Sequence, residues 1–157
     1  VRTVVNTVRS GEADIVPGNH CWKFARYLAG GNVSIGHELG ETIKQIESAP
    51  DCDFLKSGFL SVIQNSYVWH RAGNWVFAHA STHPSMYYDS PFKISDREKF
   101  KKYGKLVSRA LYGETNGEKT DEGFPVRLFS WVDTIPYDCK AVVGHDYLDD
   151  NIVVKIG

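Results

Sequence analysis

The sequence predicts an α/β domain on three observations. Apolar residues recur at helical spacing in several segments, short β-rich runs fall between them, and three apolar runs close on Gly18-Asn19-His20, Ala78-His79-Ala80 and Val143-Gly144-His145. Strands ending in a row at one sheet edge bring distant residues together there, where sites in α/β proteins form. At 157 residues the chain fits one domain, 1–157, with length enough to bury a substantial core.

Val1, Val4, Val5 and Val8 fall on one helical stripe that stops near Gly11. A buried strand is expected at Ala13 to Val16, running into Pro17-Gly18-Asn19-His20, after which Trp22, Ala25 and Leu28 repeat at helical spacing until Gly30-Gly31. Leu39, Ile43 and Ile46 mark a helix ending near Pro50, and Phe54, Leu55, Phe59, Val62 and Ile63 mark another. Tyr67-Val68-Trp69 and Trp75-Val76-Phe77 read as a hairpin joined by His70-Arg71-Ala72-Gly73-Asn74, its second strand delivering His79. Ser95 with Glu98 fits a capping box opening a helix that carries Phe100, Tyr103 and Val107. Residues Gly113 to Gly123 are polar and glycine-rich, a surface loop by composition. Ala141 to Val143 and Ile152 to Ile156 read as buried strands flanking a turn at His145 to Asp150.

Composition narrows the function classes. With 18 basic and 19 acidic side chains the net charge is -1, so no whole-chain field draws nucleic acid or anionic lipid. Cys21, Cys52 and Cys139 are an odd set without CxxC spacing, which indicates neither a disulfide framework nor a thiolate zinc site and favours a reducing, cytoplasmic setting. No apolar run approaches the roughly 18 residues that span a bilayer, and no signal-peptide pattern opens the chain. A soluble protein without membrane partners is expected.

The histidine-bearing turns carry the chemistry. Imidazole is the commonest nitrogen ligand of divalent transition metals and an amide oxygen suits harder ions, so Asn19, His79 and His145 fit Mn, Fe, Ni or Zn. His20 is then left over for proton transfer. The blander reading of each, a hydrogen-bonded structural residue after a strand, stands beside it.

PGNH after a short strand, then FAHA, then VVGHD, in this order, resembles the motifs of the calcineurin-like metallophosphoesterases. The likeness extends through RYLAGGNVSIGHELGETIKQIE (26–47) and SRALYGETNGEKTDEGFPVRLFSW (108–131). It is similar to the branch holding the phosphatase domain of bacterial polynucleotide kinase-phosphatase and the bis(5'-nucleosyl)-tetraphosphatases, with phage serine/threonine phosphatases nearby. The resemblance implies an α-β-β-α sandwich that hydrolyses phosphomonoesters or phosphoanhydrides with two divalent metal ions (Mn, Ni, Fe, Zn or Mg). It implies Asn19, His79 and His145 as ligands of the second metal, His20 as general acid, and a phosphoprotein or nucleotide as substrate. Arg109 and Arg127, in the family-like segment, are candidates for holding phosphate by bidentate hydrogen bonds, or for surface ion pairs.

The chain also departs from the family pattern. Cys21 stands where the family carries Asp or Glu to orient the histidine, and Asp146-Tyr147 follow His145 in place of the usual closing residues. The DxH and GDxxDRG motifs that open family members are absent, so the expectation is a domain incomplete at its N-terminus. A non-catalytic, degenerate module is the competing class. His37 is read as a helix-start residue, His70 and His83 as solvated, with His83 the outside candidate for the site. Trp22, Trp69, Trp75 and Trp131 are read as packing, and a thiolate role for Cys21 is set aside, because chain neighbours rarely point together as a Cys/His pair.

Overall fold

The computed structural model describes residues 1–145. Four helices come first: α1 (Arg2–Arg9), α2 (Asn19–Leu28), α3 (His37–Glu47) and α4 (Cys52–Asn65). They are followed by β1 (His70–Ala72), β2 (Trp75–Phe77), a 3-10 turn at Pro84–Tyr87, α5 (Arg97–Lys102), α6 (Gly104–Tyr112), β3 (Glu114–Lys119), β4 (Pro125–Leu128), a second 3-10 turn at Ser130–Thr134, and β5 (Lys140–Val142). Helices mixed with two small sheets make this an α/β arrangement. Among the described residues no helix is long and apolar enough to cross a membrane.

Helix α4 is central because its apolar residues form one stripe. Leu55, Gly58, Phe59, Val62 and Ile63 are all buried and repeat at i, i+3, i+4, i+7 and i+8. Helix α1 lays the fully buried Val5 over Gly58, where a Cβ would lie 2.7 Å from Val5 Cγ1. Helix α2 contributes Phe24, whose ring centroid is 5.1 Å from that of Phe59, and α3 adds Leu39, Ile43 and Ile46. Arg2 clasps Asp51 through both terminal guanidinium nitrogens, tying α1 to the residue that opens α4 and holding the Asp51 carboxyl below its usual range, chiefly through the hydrogen bond. The pair is exposed, so its stabilisation is small.

The main sheet has the order β1-β2-β5. β1 runs antiparallel to β2 with His70 opposite Phe77, and β2 runs parallel to β5 with Phe77 opposite Val142. Across that parallel pair the Lys140 ammonium sits 4.8 Å from the Trp75 ring centroid. β3 and β4 form a separate antiparallel hairpin.

Several elements differ from the expectation. Ala13 to Val16 is not a strand, because no described segment hydrogen-bonds alongside it. Val68 and Trp69 are core residues rather than a hairpin strand: Trp69 meets Phe92 edge-on at 5.2 Å, and the Val68 N–H donates to the Phe92 carbonyl at 3.0 Å. The pairing strand is the next triplet, His70–Ala72, and the turn contracts to Gly73-Asn74, with Gly73 at φ +60. The helix expected after Ser95 is capped by Asp96, whose carboxylate accepts the Lys99 N–H at 3.1 Å, and it breaks at Tyr103 into α5 and α6. Residues 114–119 pair with β4, so the polar stretch is half of a hairpin rather than a loop. The strand expected at Ile152 to Ile156 lies outside the described residues. Trp22, Trp69 and Trp131 pack inward as read, Trp22 against Phe100 with centroids 5.0 Å apart.

The Gly58 notch is testable. Gly58→Ala gains helix propensity of up to about 1 kcal/mol but drives a methyl into a stiff, fully buried valine, and overpacking of this kind costs about 1–3 kcal/mol. A net loss of about 1 kcal/mol is expected from urea unfolding. The Gly58→Ala/Val5→Ala double variant should lose less than the sum of the single losses, which a double-mutant cycle measures.

Candidate functional site

Parallel strands end at the same edge, and the β2–β5 pair carries its hydrogen bonding past both ends. The Ala78 N–H donates to the Val142 carbonyl at 3.1 Å and the Gly144 N–H to the His79 carbonyl at 2.9 Å. His79 and His145 therefore emerge side by side, with ring centroids 4.9 Å apart and planes at 79°.

Gly18 closes on this pair from the other side. A Cβ on Gly18 would lie 2.5 Å from Cε1, 2.6 Å from Nε2 and 2.8 Å from Nδ1 of His79, so only glycine lets the backbone rest on that ring. The requirement is close approach rather than dihedral freedom, since Gly18 has an ordinary φ of -90. The contact brings the start of α2 against His79. Asn19 and His20, expected at a strand end, are instead the first two residues of this helix, at the end where the macrodipole favours anions.

The Asn19 amide oxygen accepts the His20 N–H at 2.9 Å. His20 is largely exposed, and its Nδ1 lies 3.3 Å from Glu38 Oε2, in the first turn of α3. The sequence reading leaves His20 without a carboxylate, because Cys21, half-buried against the core, stands in the adjacent position. Glu38, eighteen residues farther along, supplies one. Helix i, i+4 logic does not reach across the intervening turn, so only the fold reveals it.

Arg109 forms an ion pair with Glu114, whose second carboxylate oxygen accepts a hydrogen bond from Ser130 Oγ at 2.9 Å. Its charge is thus balanced within the fold. Arg127 donates to the Tyr112 carbonyl at the C-terminal end of α6. It comes within 3.5 Å of the position a Gly113 Cβ would take, and the Ala80 methyl lies 3.7 Å from the same point. Arg127 is therefore placed near the chain that leaves His79.

Two imidazoles and, beside Gly18, an amide suit a divalent transition ion by donor chemistry, and the Gly18–His79 cradle fixes one imidazole in place. All three donors are neutral, so an ion they held would keep its full charge for an anionic substrate. Among the described residues no group of three or more His, Cys, Asp or Glu side chains gathers as a metal site. A second ion requires ligands beyond these three.

The remaining histidines lie outside the His79–His145 pair. His37 opens α3 without a side-chain capping bond, and His70 lies in β1 with its ring centroid 6.3 Å from that of Phe77. His83 Nδ1 accepts the Ser85 N–H at 3.2 Å and so caps the 3-10 turn.

Beside His20 opens a cleft of about 370 Å³ lined by Lys23, Arg26, Asn32 and Tyr112 among others, none of which the sequence reading singled out. Lys23 and Arg26 share a helix face with His20, a spacing of three that could have signalled them.

No family model matches the chain. It is 32% identical over 149 residues to the asymmetrical bis(5'-nucleosyl)-tetraphosphatase PrpE of Anoxybacillus flavithermus, covering 92% of this chain and 56% of that protein. The protein of the same name from Bacillus cereus (strain B4264) is 29% identical over 142 residues, 88% of this chain and 52% of the relative. That from Halalkalibacterium halodurans is 28% identical over 150 residues, 92% and 55%. The chain spans about half the length of the curated relatives it matches.

Burial, then the nearby Arg109 charge, hold the His83 imidazole below its ordinary value of 6.5, with Asp89 opposing in part. Protonation would also remove the acceptor that caps the 3-10 turn. Between the folded value and about 6.5 the unfolded chain binds more protons, so stability rises with pH across that window. The contribution is present above about pH 6.5 and is lost as pH falls through the lower, folded value. His83→Asn keeps an acceptor that does not titrate. Urea midpoints compared at acidic and neutral pH should fall less in this variant than in the parent.

Proposed function

The chain belongs to the calcineurin-like metallophosphoesterases, and from that premise we propose that it is part of a metal-dependent phosphoesterase that cleaves phosphoanhydrides or phosphomonoesters, within the two-sheet sandwich of that family. The observation that carries this is the meeting of the β2–β5 edge with the start of α2. His79 and His145 stand ring to ring there, Gly18 rests on His79, and Asn19 and His20 follow. The relatives' name, a bis(5'-nucleosyl)-tetraphosphatase, favours a nucleoside polyphosphate over a phosphoprotein as substrate. Three free cysteines among the described residues accord with a reducing cytoplasm.

In this reading His79, His145 and the Asn19 oxygen hold one of two divalent ions, with Mn, Ni, Fe, Zn and Mg all candidates. Such ions, when bound, lower the pKa of a water and stabilise charge on the attacking and leaving oxygens. His20 donates the proton that the departing oxygen needs. Glu38 Oε2, 3.3 Å from His20 Nδ1, stands on that side of the ring and leaves Nε2 as the nitrogen for the leaving group. Arg127 is the better placed of the two arginines to meet phosphate, since Glu114 already balances Arg109. The competing reading, a non-catalytic module, draws on one observation: among the described residues no group of three or more His, Cys, Asp or Glu side chains gathers as a metal site.

The test uses the full-length protein loaded with manganese or nickel. His79→Ala should abolish metal-dependent turnover and reduce bound metal. His20→Ala should keep the metal but lower kcat on a dinucleoside tetraphosphate by about 10²- to 10⁴-fold, with a smaller loss on an activated aryl phosphate whose leaving group needs little protonation. Stoichiometric metal without turnover on either substrate would establish the non-catalytic reading instead.

A further inference from the structure

The cleft beside His20 has a composition unlike the chain as a whole. Among the described residues its lining includes two cations, Lys23 and Arg26, and no acidic side chain, although the chain carries one more acidic than basic side chain. Both cations lie on the α2 face that begins with His20, at three-residue intervals, so the row extends about 9 Å along the helix axis from the histidine. That is the reach of a short chain of phosphates.

The far wall is built by a fold-back of the backbone after α2. Gly30 turns at φ +76, and Gly31 packs so closely that a Cβ would lie 2.9 Å from the Arg26 carbonyl, to which its own N–H donates at 2.8 Å. This places Asn32 opposite the helix, where its carbonyl accepts from Arg26 Nη2 at 3.2 Å. Arg26 is thus oriented by a neutral carbonyl and keeps its charge uncompensated. Neither Lys23 nor Arg26 forms an ion pair among the described residues. Among the described residues the carboxylate that stands against His20 is Glu38, 3.3 Å from its Nδ1. Tyr112, two-fifths exposed, also lines the cleft.

We propose that this cleft is an oligophosphate subsite: Lys23 and Arg26 bind the phosphates beyond the one attacked, and so favour phosphoanhydride chains over isolated phosphomonoesters. The direction of selection rests on the function proposed above, because it needs the reaction to occur at His20. The binding itself does not. A nucleoside polyphosphate and an inorganic polyphosphate share this chemistry.

Two measurements on the full-length protein test it. In the first, metal is removed with EDTA and inorganic tripolyphosphate, ATP and orthophosphate are titrated calorimetrically. Tripolyphosphate and ATP should bind in a salt-dependent way and more tightly than orthophosphate, the tighter of the two identifying the source. Lys23→Gln/Arg26→Gln should weaken them about tenfold or more, as expected for lost charge-assisted hydrogen bonds, and Lys23→Arg/Arg26→Lys should restore most of the affinity. Tripolyphosphate binding equal in the double glutamine variant and the parent, with both folded by circular dichroism, overturns the subsite. In the second, with metal present, kcat/KM of the double variant should fall further on a dinucleoside tetraphosphate than on an aryl phosphate; equal losses overturn the selectivity. If the parent hydrolyses nothing yet the variant still loses tripolyphosphate, the proposed function fails and the subsite stands.

Discussion

The burial of one stripe on α4 is the constraint on which the rest depends. Leu55, Gly58, Phe59, Val62 and Ile63 give α1, α2 and α3 a shared apolar surface, and each of those helices is short enough to be marginal by itself. The packing is directional as well as cohesive. Gly58 admits Val5 at a distance no side chain at 58 would allow, and the Phe24–Phe59 contact sets how far α2 slides along α4. Since Asn19 and His20 are the first residues of α2, that sliding position decides where they stand relative to the sheet.

The second joint is made by the sheet. Parallel pairing of β2 with β5 aligns two C-terminal ends that are separated by more than sixty residues of chain, and the hydrogen bonds that continue beyond them hold His79 and His145 in register. Gly18 then locks the helical and sheet halves together through the His79 ring. A methyl there would displace the imidazole or the helix start, so this glycine governs the site through space rather than through flexibility. The hairpin β3–β4 reinforces the same corner, with Arg127 fastening the end of α6 next to Ala80.

Much of this was legible in the sequence where a single helix face carries the signal. The valine stripe of α1, the apolar repeats of α2 to α4, and the histidines beyond β2 and β5 all follow from spacing. What failed was partner choice. Tyr67-Val68-Trp69 has the composition of a strand, but the bulk of Trp69 is better buried against Phe92 than paired in a hairpin, and the ladder moved to a triplet with little β character. Ala13 to Val16 has strand composition without a described neighbour to pair with. Asp96 rather than Ser95 caps α5, a one-residue difference of the kind that helix-end signals leave open. The Glu38–His20 contact and the Arg26–Asn32 wall were out of reach, because both depend on how the chain doubles back between α2 and α3.

That doubling back also explains how the chain can do without a carboxylate beside His20. An acidic residue at position 21 would occupy the first turn of α2, whereas Cys21 is packed toward the core with the apolar face of the helix. Glu38 reaches His20 from the first turn of α3, and both side chains are largely exposed. The result is a separation of charge: negative charge against the far nitrogen of His20, neutral donors toward the sheet edge, and positive charge along the cleft. For a reaction at a phosphate this separation is favourable on every side. In the proposed reaction a phosphate would meet the cations and amide groups first, while Glu38 stands against His20.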